Sequence, residues 1–132
     1  MELKRGRMID HLHLRTRNLD ASRRFYAAVL TSLGIPLIDG GDHFFADELW
    51  VDGAEQSSHV HFAFQAADHA AVDSWYAAGL AAGGRDNGPP GDRPYHPGYY
   101  AAFLLDPDGN NVKAVHHGPG KRSAEAVTIT AG

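Results

Sequence analysis

The sequence contains no cysteine, which removes disulfide staples and thiolate chemistry together. It has no apolar run near the roughly 20 residues that a membrane-crossing helix needs, so no membrane partner is expected. Excess charge is also scarce, since 12 Lys and Arg against 16 Asp and Glu leave a formal net charge of -4. A chain of that sign gains little from a polyanion. Lys4, Arg5 and Arg7 form a short basic cluster that reads as a solvated end rather than a nucleic-acid patch, so no nucleic-acid partner is expected. Met1 to Arg7 lack the apolar core of a secretory signal, and the expected location is cytoplasmic. No phosphate-cradling glycine loop and no G-x-S-x-G elbow occurs. Ser57-Ser58 beside His59 has no partner carboxylate to make it a triad.

What remains is a chain of 132 residues with 43% apolar and 21% charged residues, the balance of one globular domain with a real core. Nine histidines stand out, and most would be surface residues in any protein of this composition. Position decides which of them matter.

The chain repeats itself, which is best sought before anything else. Asp10-His11-Leu12-His13-Leu14 is echoed by Ser58-His59-Val60-His61-Phe62, 48 residues on. Phe25-Tyr26-Ala27-Ala28-Val29-Leu30 is echoed by Trp75-Tyr76-Ala77-Ala78-Gly79-Leu80, 50 residues on. Order and spacing are kept, so the match is more than two similar peptides. Each copy opens on a strand pattern of period two. Over residues 7–16, Ile9, His11, His13 and Arg15 fall on one face and Met8, Leu12 and Leu14 on the other. In the second copy His59, His61 and Ala63 share a face opposite Val60, Phe62 and Phe64. Each strand thus has an apolar face and a histidine face.

A helix follows each strand. Asn18 or Asp20 can cap the first; Phe25, Val29 and Leu33, with Tyr26 and Leu30 beside them, make its apolar stripe; and Gly34 and Pro36 end it. The second opens near Asp68, presents Val72, Trp75, Tyr76 and Leu80 to the core, and stops at Gly83-Gly84. The helices should cover the apolar strand faces and leave the histidine faces open. Strands return after each helix: 36–39, 44–45 and 48–51 in the first copy, then 98–105 and 112–116 around the Asp106-Pro107-Asp108-Gly109 turn in the second. Residues 85–98, with four prolines and three glycines, read as a stiff irregular loop. Residues 118–132 read as a loose tail in which Val127 to Thr130 can add an edge strand. The expected organisation is one domain, 1–132, with modules at about 7–52 and 58–117.

Two α+β modules of βαβββ type resemble the vicinal oxygen chelate superfamily, which includes glyoxalases, bleomycin-resistance proteins and extradiol dioxygenases. The resemblance runs over roughly residues 7–117. It is carried by Ile9-Asp10-His11-Leu12, by the helix start Asn18-Leu19-Asp20-Ala21-Ser22, by Phe25-Tyr26 and the Leu30 to Gly34 helix end. The closing motif, Tyr99-Tyr100-Ala101-Ala102-Phe103 with Asp106-Pro107-Asp108-Gly109-Asn110, adds to it. The resemblance implies a curved, half-open mixed sheet whose inner faces line a cavity for a small molecule. It also implies a homodimer, with the cavity built within one chain or between two. In metal-dependent relatives, two strand histidines and one or two glutamates hold a divalent cation such as Fe, Mn, Ni or Zn, which works with open coordination positions. Carried over, His11 and His59 take the histidine positions, with Glu48 the nearest carboxylate in the first module. Because Glu48 and Trp50 both lie at the end of that module, either can be the inward residue.

The pattern then breaks. Where the family ending of V-E-x-V type supplies a glutamate ligand, this chain reads Val112-Lys113-Ala114-Val115. A carboxylate offsets a cation's charge; an ammonium adds to it. Three readings stay open. A metal can survive on His11, His59 and Glu48, with Lys113 turned away or acting as a general acid. Alternatively, Lys113 fills the metal's place, no metal is bound, and the cavity takes an anionic or carbonyl-bearing ligand. The third reading makes these residues structural. His11/His13 and His59/His61 can also be compared with H-x-H chelates on one strand face. The further cavity candidates are His13, His61, Trp50, Arg93, Tyr95, His96 and Tyr99, the last four in or beside the proline-rich segment. If the protein is an enzyme, a metal-dependent lyase, isomerase or ring-cleaving dioxygenase is implied.

Overall fold

The structure, a computed structural model, describes residues 2–5, 7–119 and 127–130. Its elements run β1 (Glu2–Arg5), β2 (Leu12–Thr16), α1 (Leu19–Ser32), β3 (Ile38–Asp39), β4 (His43–Ala46), β5 (Leu49–Gly53), β6 (His61–Gln65), α2 (His69–Ala81), β7 (Arg85–Asp92), β8 (Tyr100–Leu105), β9 (Asn111–His116) and β10 (Val127–Thr130). Two four-stranded mixed sheets result, ordered β2-β5-β4-β3 and β6-β9-β8-β7. In each, the first strand lies parallel to the last and the other pairs are antiparallel. The βαβββ repeat is therefore literal: the same order is built twice. Neither sheet closes into a barrel. The anticipated strand at 127–130 exists, paired antiparallel to β1 as a separate ribbon; the rest of the expected tail from residue 120 lies outside the described residues.

The helices form where the sequence allows. Asn18 Oδ1 accepts from the Ala21 N–H at 3.1 Å, and Asp68 Oδ1 accepts from the Ala71 N–H at 2.7 Å, so each opening turn has a side-chain cap. Gly34 (φ 76°) and Gly83 (φ 101°) take the left-handed conformation just past each helix end. Asn18, not Asp20, is the first cap.

One continuous core runs from Leu14, Phe44 and Val51 of the first sheet through Phe25, Tyr26 and Val29 of α1 and Val72 and Trp75 of α2 to Leu104 and Val112 of the second sheet. The helices pack against each other between the modules, and the close approach is at Gly79. A Cβ there would sit 2.2 Å from Leu104 Cδ1 and 3.0 Å from Val29 Cγ1. That corrects the expected core of α2. Leu80, anticipated inside, is 40% exposed, because the helix turns its glycine, not its leucine, toward α1.

A buried polar knot ties the modules together. The Tyr26 hydroxyl donates to Asp106 Oδ2 at 2.6 Å, and Asn110 Nδ2 donates to the same oxygen at 2.9 Å. Asp106 Oδ1 accepts from the backbone N–H groups of Asp108 and Asn110, while Asn110 Oδ1 accepts from the Val60 N–H. Burial, and then the Asp106 charge, hold the Tyr26 hydroxyl's pKa well above its ordinary value. The Asp106 to Asn110 motif thus works as more than a turn: it anchors α1 of the other module.

The segment expected to be an irregular loop is the second correction. Residues 85–92 form β7, paired with β8 and shifted in register around Gly88 and Gly91. Pro89 and Pro90 fit because β7 is the sheet edge, where a missing N–H breaks no ladder on the outer side. Only from Arg93 to Tyr99 does the chain leave the sheet. The first strand is also shorter than its alternation predicted, starting at Leu12, so His11 stands just ahead of it.

Candidate functional site

Because the helices cover one face of each sheet, the other face of each is open. On the first sheet the register Ile38↔Phe45, Phe45↔Trp50 and Trp50↔His13 lays a row of side chains across the open face. His43 stacks on Trp50 with centroids 4.2 Å apart and planes 9° apart, and Phe45 follows at 5.4 Å and 15°. His13 Nε2 donates to Asp52 Oδ1 at 2.9 Å. At the end of this row a cleft of about 260 Å³ is lined by His11, His13, Asp47, Glu48, Leu49 and Trp50. Its floor comes from the tight turn between β4 and β5, where Asp47 takes a positive φ of 46°, a conformation Asp tolerates. Glu48 and Trp50 both face this cleft. The two were alternatives in the sequence, but residues two apart share a face.

The second sheet's open face has the opposite chemistry. The register Ala63↔Lys113↔Phe103↔Gly88 crosses it. Lys113 Nζ donates to the Tyr99 hydroxyl at 3.1 Å and lies 5.3 Å from the Phe103 ring centroid and 5.8 Å from those of Tyr95 and Tyr99. Arg93 stands over Phe103 as well, at 5.3 Å. Behind Tyr99, His96 Nε2 and His117 Nδ1 are 2.9 Å apart. His96 Nδ1 faces the Pro97 carbonyl at 2.9 Å, and a carbonyl only accepts. With a neutral His96 ring, Nδ1 carries the proton and the His117 Nδ1–H donates to His96 Nε2.

The candidates of the sequence thus divide. His11, His13, Glu48 and Trp50 meet at the first sheet; Lys113, Arg93, Tyr95, His96 and Tyr99 meet at the second. His61 is exposed on β6 opposite Asn111, and His59 is exposed ahead of it; neither lines the first cleft. His43, Phe45, Asp52, Phe103 and His117 were missed. Alternation along β4, β5 and β8 carried the signal for the first four. His117 had none, since it gains its partner only through the fold.

Metal-holding capacity can be tested on these positions. Among the described residues no group of three or more His, Asp or Glu stands where it could hold a metal ion. His11 Nδ1 donates to Asp10 at 2.7 Å, His59 is away from the cleft, and the remaining family position is the Lys113 cation. Within one chain the donors among the described residues do not fit a divalent ion.

The comparisons with known proteins agree with this architecture. The family model of the Glyoxalase/Bleomycin resistance protein/Dioxygenase superfamily matches residues 8–114, and the chain belongs to that superfamily. A glyoxalase/bleomycin resistance protein from Albidiferax ferrireducens T118 is 31% identical, covering 80% of this chain and 95% of its own, with a TM-score of 0.69. Two more distant structures share the fold. A glyoxalase-related enzyme from Fulvimarina pelagi is 17% identical over 96% of this chain and 99% of its own, TM-score 0.67. A lactoylglutathione lyase from Agrobacterium tumefaciens is 22% identical over 80% and 90%, TM-score 0.59. Comparison with the curated proteins yields no match. No helix among the described residues is long and apolar enough to cross a membrane.

Proposed function

We propose that this protein binds a small anionic or carbonyl-bearing molecule through Lys113, with the ammonium standing where metal-dependent relatives place a ligand carboxylate. The carrying observation is the setting of Lys113. It lies on the open face of the second sheet, held by a tyrosine hydroxyl and three aromatic rings, and makes no ion pair among the described residues. Such a cation keeps its attraction for an incoming anion, because a part-buried charge is screened less than one in water. The cleft is completed between two copies, the acidic and aromatic open face of one over the cationic open face of the other. The back-to-back helices support this arrangement, since they leave both sheet faces of one chain uncovered.

A second reading has one observation behind it: His11 and Glu48 share a cleft. If a dimer brought a further donor such as His59 of the second copy to that cleft, it would make a divalent-cation site. The protein would then be a metal-dependent lyase, isomerase or dioxygenase.

One experiment separates the two. Metal content is measured after purification without added salts; Ni(II), Fe(II), Mn(II) and Zn(II), and separately acetate and pyruvate, are then titrated into the native protein, Lys113→Gln, Lys113→Glu and His11→Ala. The first reading expects carboxylate binding that Lys113→Gln weakens about tenfold or more, with stoichiometric metal only in Lys113→Glu. Tight metal binding by the native protein, lost in His11→Ala, overturns it in favour of the second. Sedimentation velocity should give a dimer; a monomer at micromolar concentration sinks the two-copy cleft.

A further inference from the structure

Arg93 is placed with unusual care for a residue in a connecting segment. Its Nη2 donates to the Pro89 carbonyl at 2.6 Å and its Nη1 to the Asp92 carbonyl at 3.2 Å. The guanidinium lies against β7 beside Gly88 and Gly91. A Cβ at Gly91 would stand 3.0 Å from Nη1, and one at Gly88 3.4 Å from Nη2 and from the Phe103 side chain. Gly91, one of the two glycines at the β7 register shifts, therefore gives the guanidinium room that a Cβ would crowd.

Phe103 thus has a cation from each side of the row, Arg93 and Lys113, each 5.3 Å from its centroid. Neither makes an ion pair among the described residues. The Arg and Lys ion pairs among the described side chains are both made by Arg23. Of the acids on β7 and α2, Asp86 accepts from the Tyr76 hydroxyl and Asp73 from the Tyr100 hydroxyl. Arg93 spends two donors on carbonyls and keeps others for a ligand, because a guanidinium has five.

We infer that Arg93 and Lys113 together form a two-point anion clamp across Phe103, and that the ligand is a small dicarboxylate. This rests on the reading of Lys113 as an anion anchor and adds a second point of contact. A monoanion satisfies one cation and leaves the other part-buried and unpaired; a dianion with its charges separated by a short carbon chain satisfies both. The apolar Phe103 ring between them suits the methylene spacer of such a molecule.

The test is calorimetric titration of the native protein with succinate and glutarate against their monoanionic counterparts, propionate and butyrate. The clamp predicts that a dicarboxylate binds at least about tenfold more tightly than the matching monocarboxylate. Arg93→Gln should lower dicarboxylate affinity to the monocarboxylate level and leave the monocarboxylate within about twofold. Lys113→Gln should weaken both. Gly91→Ala, which keeps every charge but crowds the guanidinium, should behave as a milder Arg93→Gln; it keeps the test decisive should Arg93→Gln lose its fold. Equal affinity for the two classes, with Arg93→Gln and Gly91→Ala silent and Lys113→Gln still damaging, overturns the clamp and leaves the single anchor standing. No carboxylate binding at all overturns both.

Discussion

The two modules agree on the faces they turn to one another and disagree on the faces they turn away. Inward, Phe25 answers to Trp75 and Leu14 to Phe62, and all join one core. Outward, the first sheet carries His13, Trp50, Asp52 and the Glu48 cleft, while the second carries Lys113, Arg93 and their aromatic rings. Packing tolerates few changes of volume, so the buried half of the repeat stays legible. The open half has no such constraint, and there the two faces carry different side chains. Even a shared residue differs between copies. Tyr26 is buried on Asp106, whereas its repeat partner Tyr76 reaches an exposed Asp86.

Substitutions on the two kinds of face test this contrast. The largest effect should come from the inward face: Phe25→Ala and Trp75→Ala should each cost about 3–5 kcal/mol, read as a fall in urea midpoint, and a clear inequality between them would mean the shared core leans on one module. Next, Tyr26→Phe should cost about 1–3 kcal/mol by removing a donor from the buried Asp106 carboxylate, while Tyr76→Phe leaves the midpoint unchanged.

A pH profile tests the same pair. The Tyr26 pKa is raised in the folded chain, so its contribution is whole below the unfolded tyrosine pKa of about 10. It is lost as pH climbs from there toward the folded value. The native protein should lose stability above about pH 10, more steeply than Tyr26→Phe does; parallel profiles would deny the linkage. The smallest effect belongs to the outward face. His13→Gln or Asp52→Asn should move stability by at most about 1 kcal/mol, since the pair is solvent-exposed, and a larger loss would show that the open face is structural.

Much of this was readable in the sequence, for identifiable reasons. The helices, their caps and the strand faces follow from periodicity and from Asn18, Asp68, Gly34 and Gly83, all local signals. The division of the site into two half-faces was not readable, because which sheet sits beside which depends on α1 meeting α2 at Gly79, a contact that no local pattern encodes. β7 was misread because Pro89 and Pro90 argue against a strand, and only its place at the edge makes them harmless. Lys113 was found by its departure from a motif; Phe103, the ring it shares with Arg93, becomes significant only once β8 and β9 are paired.

The same Pro89 and Pro90 bear on how this protein meets others of its kind. A sheet grows at its rim by offering N–H and C=O groups to a new strand. β7 lacks the N–H groups of Pro89 and Pro90, and β3, one of the two edge strands of the other sheet, is two residues long. Neither outer rim is a good template, so fibril-like stacking through these edges is blocked by chemistry on one side and by brevity on the other. On those flanks the missing N–H groups and the short strand oppose aggregation alongside the exposed charges of Arg85, Asp86, Asp92 and Asp39.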